Sequence, residues 1–228
     1  EGERLSSVIA RAGGFTEEAY LPAAVFLRES IREQQEKELV RLRAELQAMI
    51  SRKEGELVGV SGAAAEQQRQ ALEAARRVLT QVEQLKATGR MVIRLADAEK
   101  LKGTPFDIRL QDGDRLIVPK RPDHVLVMGE VMSPNAQLYQ PGKRMRFYIE
   151  HAGGLTRFAD EDHIYIVHAN GEVEPAKGWG GPRVGPGDAI VVPQDLAPFN
   201  LLGAMLDWSK VFYQIGVTLA SMRAIGII

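Results

Sequence analysis

Gln111-Asp112-Gly113-Asp114-Arg115-Leu116-Ile117-Val118-Pro119 returns further along the chain as Gly185-Pro186-Gly187-Asp188-Ala189-Ile190-Val191-Val192-Pro193. Each copy reads Gly-Asp, one variable residue, three branched or long apolar residues, then Pro. Gly supplies the positive φ of a tight turn. The apolar run suits a buried strand, and Pro ends it because it has no N–H for the ladder. A second repeated segment lies upstream of each copy. Gly2-Glu3-Arg4-Leu5-Ser6-Ser7-Val8-Ile9-Ala10-Arg11-Ala12-Gly13-Gly14-Phe15-Thr16 matches, at an offset of 140 and without a gap, Gly142-Lys143-Arg144-Met145-Arg146-Phe147-Tyr148-Ile149-Glu150-His151-Ala152-Gly153-Gly154-Leu155-Thr156. The same offset carries Val25-Phe26-Leu27 onto Tyr165-Ile166-Val167. Repetition of this quality signals one small module duplicated.

The second copy is uninterrupted and gives the module's order. Val125 to Val131 is strand-like, Ser133-Pro134-Asn135 turns, and Gln137-Leu138-Tyr139 pairs back. Met145 to His151 gives about two helical turns, with Met145, Tyr148, Ile149 and Ala152 on one face and Gly153-Gly154 as the C-cap. A strand from His163 to His168, a turn at Asn170-Gly171 and a closing strand from Ala189 to Val192 follow. A hairpin, one helix and further strands against it describe a small α+β domain of the β-grasp kind.

A β-hairpin, a short helix ending in Ala-Gly-Gly, an apolar residue and Thr, and a final Gly-Asp strand closed by Pro resemble the SLBB module, the soluble ligand-binding β-grasp. Tandem SLBB modules resemble the periplasmic part of Wza-type outer-membrane polysaccharide export proteins, including their KpsD-like branch. By the repeats, 1–28 and 89–120 form a first, N-terminally incomplete module, and 122–195 a second. The partner of Gly2 is Gly142, and Val125 to Tyr139 have no counterpart in the first copy. The natural gene product is therefore expected to extend upstream. A face that is covered in the second module should be bare in the first.

Gly13 to Gly113 spans about 100 positions and Gly153 to Gly187 about 34, so about 66 extra residues sit inside the first copy. Residues 29–88 hold most of them. Glu29 to Arg52 is rich in good helix formers, with Leu39, Leu42, Leu46 and Met49 at coiled-coil spacing. Gly55 to Gly62 breaks the pattern, and Ala63 to Ala87 resumes it with Leu72, Ala75, Leu79 and Val82. This predicts an antiparallel helical hairpin whose arms are ~36 Å long at 1.5 Å per residue. Such an arm either touches a neighbour or partner or is a tolerated surface insertion. Lys120-Arg121-Pro122-Asp123 makes a short, semi-rigid linker between the modules.

Residues 196–228 differ in kind. From Phe199 to Ile228 the only charged residues are Asp207, Lys210 and Arg223. Asn200, Asp207, Lys210, Gln214, Thr218 and Ser221 fall, with Gly203, on one narrow helical stripe. Leu202, Leu206, Trp208, Val211, Phe212, Ile215, Leu219 and Met222 belong to the apolar remainder. A helix from Phe199 to Met222 would be ~36 Å long, sufficient for the ~30 Å hydrocarbon core of a bilayer. Charged residues there are costly unless they face a cavity. A ring of such helices turns the apolar residues to lipid and the stripe to a wet lumen. The other reading is an amphipathic helix packed on the modules.

Composition removes several classes of function. The 228 residues carry a net charge of −1 with 26% charged residues, so no sequence-independent attraction to nucleic acid is expected. No cysteine is present, which excludes disulfides and thiol chemistry. His124, His151, His163 and His168 show no metal-ligand spacing. Asp160-Glu161-Asp162 reads as a solvated acidic loop or a weak cation site. Gly178-Trp179-Gly180-Gly181-Pro182 lacks the Lys-Ser/Thr of a phosphate loop, although Trp179 is able to stack on a sugar ring. No nucleophile or zinc motif appears, so no enzyme, catalytic residue, metal or cofactor is expected. The resemblance implies a homo-oligomeric ring in the periplasm and outer membrane of a Gram-negative bacterium. Capsular or exo-polysaccharide would pass through its lumen, and an inner-membrane polysaccharide co-polymerase is a further implied partner. A soluble β-grasp module that binds a small ligand or glycan, or a periplasmic scaffold, remains the alternative.

Overall fold

A computed structural model describes residues 2–57, 61–176 and 180–195. The N-terminal part runs α1 (Leu5–Arg11), β1 (Val25–Leu27), α2 (Glu29–Glu56), α3 (Ala63–Gln84), β2 (Arg90–Met91), α4 (Ala98–Leu101) and β3 (Arg115–Ile117). The C-terminal part runs β4 (His124–Gly129), β5 (Asn135–Leu138), α5 (Met145–His151), β6 (Tyr165–Val167), β7 (Val173–Pro175) and β8 (Ala189–Val192). Two sheets result, one of order β2-β1-β3 and one of order β5-β4-β8-β6-β7. The fold is mixed α+β.

Repeated residues adopt repeated geometry. α1 and α5 both start after an extended arginine, Arg4 or Arg144. Both end in a Schellman motif. The Gly14 N–H reaches the Ile9 carbonyl and the Gly154 N–H the Ile149 carbonyl, each at 2.9 Å. The glycines at these ends sit at φ between 83° and 86°, where a side chain is strained. In the sheets Phe26 lies opposite Leu116 and Ile166 opposite Ile190, in the same antiparallel register. The bridges Arg4–Arg109 and Ala19–Lys120 recur as Arg144–Arg183 and Ala159–Gln194.

The C-terminal core lies between the sheet and α5. Val125, Val127, Met145, Tyr148, Ile149, Ile166, Ile190 and Val192 all pack there. Ile166 and Ile190 are fully buried, and each such side chain contributes about 1.5–3 kcal/mol. The Tyr148 hydroxyl accepts the Gln140 N–H at 2.9 Å, so its polar end is satisfied inside the core. The N-terminal core gathers Leu5, Ile9, Ala24, Phe26, Ile93 and Leu101, with α4 packed on α1.

Helices α2 and α3 fill the connection between β1 and β2, where β6 and β7 are joined by a tight turn. They pack on each other through Leu39, Leu46, Met49, Ile50, Ala75, Val82 and Leu85, a cluster separate from both sheets. Arg43 reaches the carbonyls of Val82, Glu83 and Leu85, and Glu54 pairs with Arg76, so the two run antiparallel. Leu42, Leu72 and Leu79 are only partly buried at this seam.

Two strands are short. β2 covers only Arg90–Met91, and the Ile93 carbonyl beyond it accepts from the Asn170 side chain of the β6–β7 turn. His163 closes a 3-10 turn and His168 follows β6, so neither lies in the strand. Residues 196–228, with all the candidate lipid-facing and lumen-facing positions, lie outside the described residues, as does Trp179. Among the described residues no helix is long and apolar enough to cross a membrane.

Candidate functional site

The Gly-Asp turns that open β3 and β8 are built the same way. The Gln111 N–H donates to Asp114 at 2.8 Å, and the Gly185 N–H to Asp188 at 2.7 Å. The residue that follows the neighbouring strand closes each turn. Arg28 donates to Asp114 twice, from Nε at 2.9 Å and Nη2 at 2.7 Å. His168 Nδ1 lies 2.9 Å from Asp188, and its Nε2 lies 3.2 Å from Glu174 on β7. Both aspartate side chains are 5% exposed. A buried carboxylate is stable only when its lone pairs are filled, and here the turn N–H groups and a cation fill them.

The two cations differ in what pH does to them. Bonding to Asp114 raises the Arg28 guanidinium, which stays charged throughout. Burial pushes the Asp114 carboxyl up, but the bonds from Arg28 and the Gln111 N–H outweigh it and hold it below the usual range. The hydrogen bond to Asp188 raises His168 above its ordinary value against the opposing effect of burial, and Glu174 adds to the rise. A raised histidine contributes stability that is fully present below its unfolded value of about 6.5 and is lost as pH rises through the folded value. The C-terminal sheet should therefore weaken across that window while the Arg28 turn does not. Melting of His168→Gln should lose this pH dependence, and His168→Arg, which copies Arg28, should keep its stability to higher pH. A wild-type melt flat from pH 6 to 9 would refute the assignment.

The two sheets meet at the turn between β6 and β7. Arg90 is buried and donates from Nη2 to the Ala169 carbonyl at 2.6 Å. Burial pulls its guanidinium down to about 10, which leaves it charged at neutral pH. Asn170 Nδ2 donates to the Ile93 carbonyl at 3.3 Å, and Arg94 pairs with Glu172 at 2.6 Å. Gly171 sits at φ 89°, and a Cβ there would lie 2.8 Å from Arg90 Nε, so a side chain would push the arginine out. At the linker Arg121 lies over the rings of Tyr20 and Tyr139, at 5.8 and 6.0 Å. Side-chain hydrogen bonds and stacking thus supplement the short linker in setting how the sheets sit.

The histidines serve local structure. His124 lies beside Asp123, His151 bonds the Phe147 carbonyl, and His163 bonds Asp160 of the acidic loop. Among the described residues no group of three or more His, Asp or Glu is placed to hold a metal ion. Sequence reading missed Arg90, Asn170 and the pairing of His168 with Asp188. The last was within reach, since His168 matches Arg28 and Asp188 matches Asp114 in the repeat.

Residues 125–185 match the SLBB domain family. Two polysialic acid transport proteins, both named KpsD and both from Escherichia coli, are each 33% identical to the chain over 110 residues. That stretch is 48% of this chain and 19% of each relative, so the chain spans about a fifth of the curated relatives it matches. The chain is thus similar to the SLBB domain family over residues 125–185 and, over about half its length, to polysialic acid transport proteins.

Proposed function

We propose that this chain is part of a subunit of an oligomeric channel that passes capsular or exo-polysaccharide through the periplasm and outer membrane of a Gram-negative bacterium. The observation that carries the reading is the similarity to the polysialic acid transport proteins, joined to the SLBB match. Residues 1–28 with 89–120 and residues 122–195 act as tandem SLBB modules held at a set angle by Arg90, Asn170 and the Arg121 stack. Residues 29–88 form a projecting arm that meets a neighbouring subunit or a partner such as an inner-membrane polysaccharide co-polymerase. Residues 196–228 form a helix in a ring, with Leu202, Leu206, Trp208, Val211, Phe212, Ile215, Leu219 and Met222 toward lipid. Asn200, Asp207, Lys210, Gln214, Thr218 and Ser221 face the lumen. A hydrated polymer of variable length needs a wide wet passage and no tight pocket.

Native mass in detergent tests this reading. The 1–228 polypeptide should need detergent and sediment as a large, defined particle, whereas 1–195 should stay in aqueous solution. A monomeric, detergent-free 1–228 would remove the channel and leave a β-grasp module that binds a soluble ligand or glycan.

A further inference from the structure

One face of the C-terminal sheet is covered, and among the described residues nothing covers the matching face of the N-terminal sheet. In the C-terminal sheet β4 runs parallel to β8, with Leu126 opposite Ala189 and Gly129 opposite Val192. The turn after β4 then lies over the end of α5. The Ser133 N–H donates to the Ala152 carbonyl at 2.9 Å, and the Met132 N–H to the Gly154 carbonyl at 3.0 Å. Ala152 is fully buried, and a Cβ on Gly153 would meet Met132 at 2.9 Å. The same residues in the N-terminal part are Ala12 and Gly13. Ala12 is exposed, and a Cβ on Gly13 would meet nothing within 4 Å.

The strand edge tells the same story. Among the described residues β3 pairs only with β1. The Arg28 N–H goes to the Gly89 carbonyl on the β2 side. Alternation along β1 therefore sends the backbone groups of Val25 and Leu27 toward β3, where they meet Ile117 and Arg115. The N–H and C=O groups of Leu116 and Val118 are left on the open edge. Leu116 and Val118 are half-buried, whereas their counterparts Ile190 and Val192 are buried. An open edge beside half-exposed apolar residues is a template for another strand.

We propose that this face seats a β-hairpin of the kind formed by β4 and β5, with its first strand parallel to β3. Its donors pair with the carbonyls of Asp114 and Val118, as Leu126 and Glu130 N–H groups pair with Asp188 and Val192. The occupant is the stretch immediately before Gly2 in the longer polypeptide. In the C-terminal part the hairpin directly precedes its helix, and the relatives are several times longer than the matched stretch. The inference rests on the tandem-module reading and adds to it which segment completes the first module.

Amide hydrogen exchange on the polypeptide extended upstream, compared with 1–228, tests it. Leu116 and Val118 should exchange fast in 1–228 and slow to the rates of Ile190 and Val192 in the longer form. Fast exchange at these two amides in both forms, with Arg115 and Ile117 protected, would overturn the hairpin and leave the tandem modules standing. Fast exchange at all four would overturn both. A second arm identifies the source of the strand. The chain has no cysteine, so Ala12→Cys paired with a cysteine at the upstream position matching Ser133 gives an unambiguous disulfide. A bond within one chain supports the assignment, and a bond between two chains would replace it with a second copy as occupant.

Discussion

Gly129→Ala should destabilise the C-terminal sheet by roughly 2–5 kcal/mol, the sum of a left-handed backbone and an overpacked contact. Gly129 sits at φ 91°, and a Cβ there would overlap the Val192 carbonyl oxygen. That oxygen accepts the Glu130 N–H at 2.9 Å, so the clash falls at the end of β4 and β8, the one parallel pair among the described strands. Backbone cannot yield as a flexible side chain can, and β4 must lift from β8 or tilt. Gly13→Ala is the matched control. Its φ of 86° carries the same left-handed cost, but its Cβ would meet nothing, so it should lose only about 1–2 kcal/mol. Denaturant unfolding followed at Tyr148 of α5 and Tyr165 of β6 reads the first loss. Equal losses at the two glycines would mean that the β4–β8 contact is not as close as the structure has it.

How far the molecule could be read beforehand follows from which forces are periodic. The Gly-Asp-apolar-Pro strands and the Ala-Gly-Gly helix ends are local devices, so the repeat in the sequence reappears as the same caps and the same register of Phe26 on Leu116 and Ile166 on Ile190. The apolar seam of α2 and α3 is likewise periodic, although Leu42 and Leu79 are less buried than their spacing implies. What escaped has no period. Arg90 is a buried cation whose partner, the Ala169 carbonyl, lies 79 residues away, and nothing near Arg90 in the chain marks it for the interior. Asn170 reads as a turn residue, and it is one, yet its side chain also reaches the Ile93 carbonyl just beyond β2. Identical motifs also acquire different surroundings. Ala12 and Ala152 are the same residue in the same cap, and the turn after β4 that lies over one of them separates exposed from buried.

The widest functional contrast is expected between two arginine substitutions in the last segment, Leu206→Arg and Gln214→Arg. Both residues belong to the proposed membrane helix, eight positions apart and so about 80° apart around its axis at 3.6 residues per turn, with Leu206 in the apolar arc and Gln214 on the polar stripe. An arginine on the lipid face near the middle of a bilayer costs about 2.5–3.5 kcal/mol on insertion scales, a loss of roughly two orders of magnitude in partition. Leu206→Arg should therefore move most of the protein out of the membrane fraction and abolish the large detergent particle. Gln214→Arg places the same charge beside Asp207 and Lys210 on the polar stripe, where water solvates it. It should leave membrane association and particle size unchanged and alter only what passes, read as altered flux of charged against neutral oligosaccharide from loaded vesicles. Flotation on a density gradient separates the two cases. Equal retention of both variants would mean that the segment does not present one face to lipid, and equal loss would mean that it has no wet face; either result removes the lumen from the proposal.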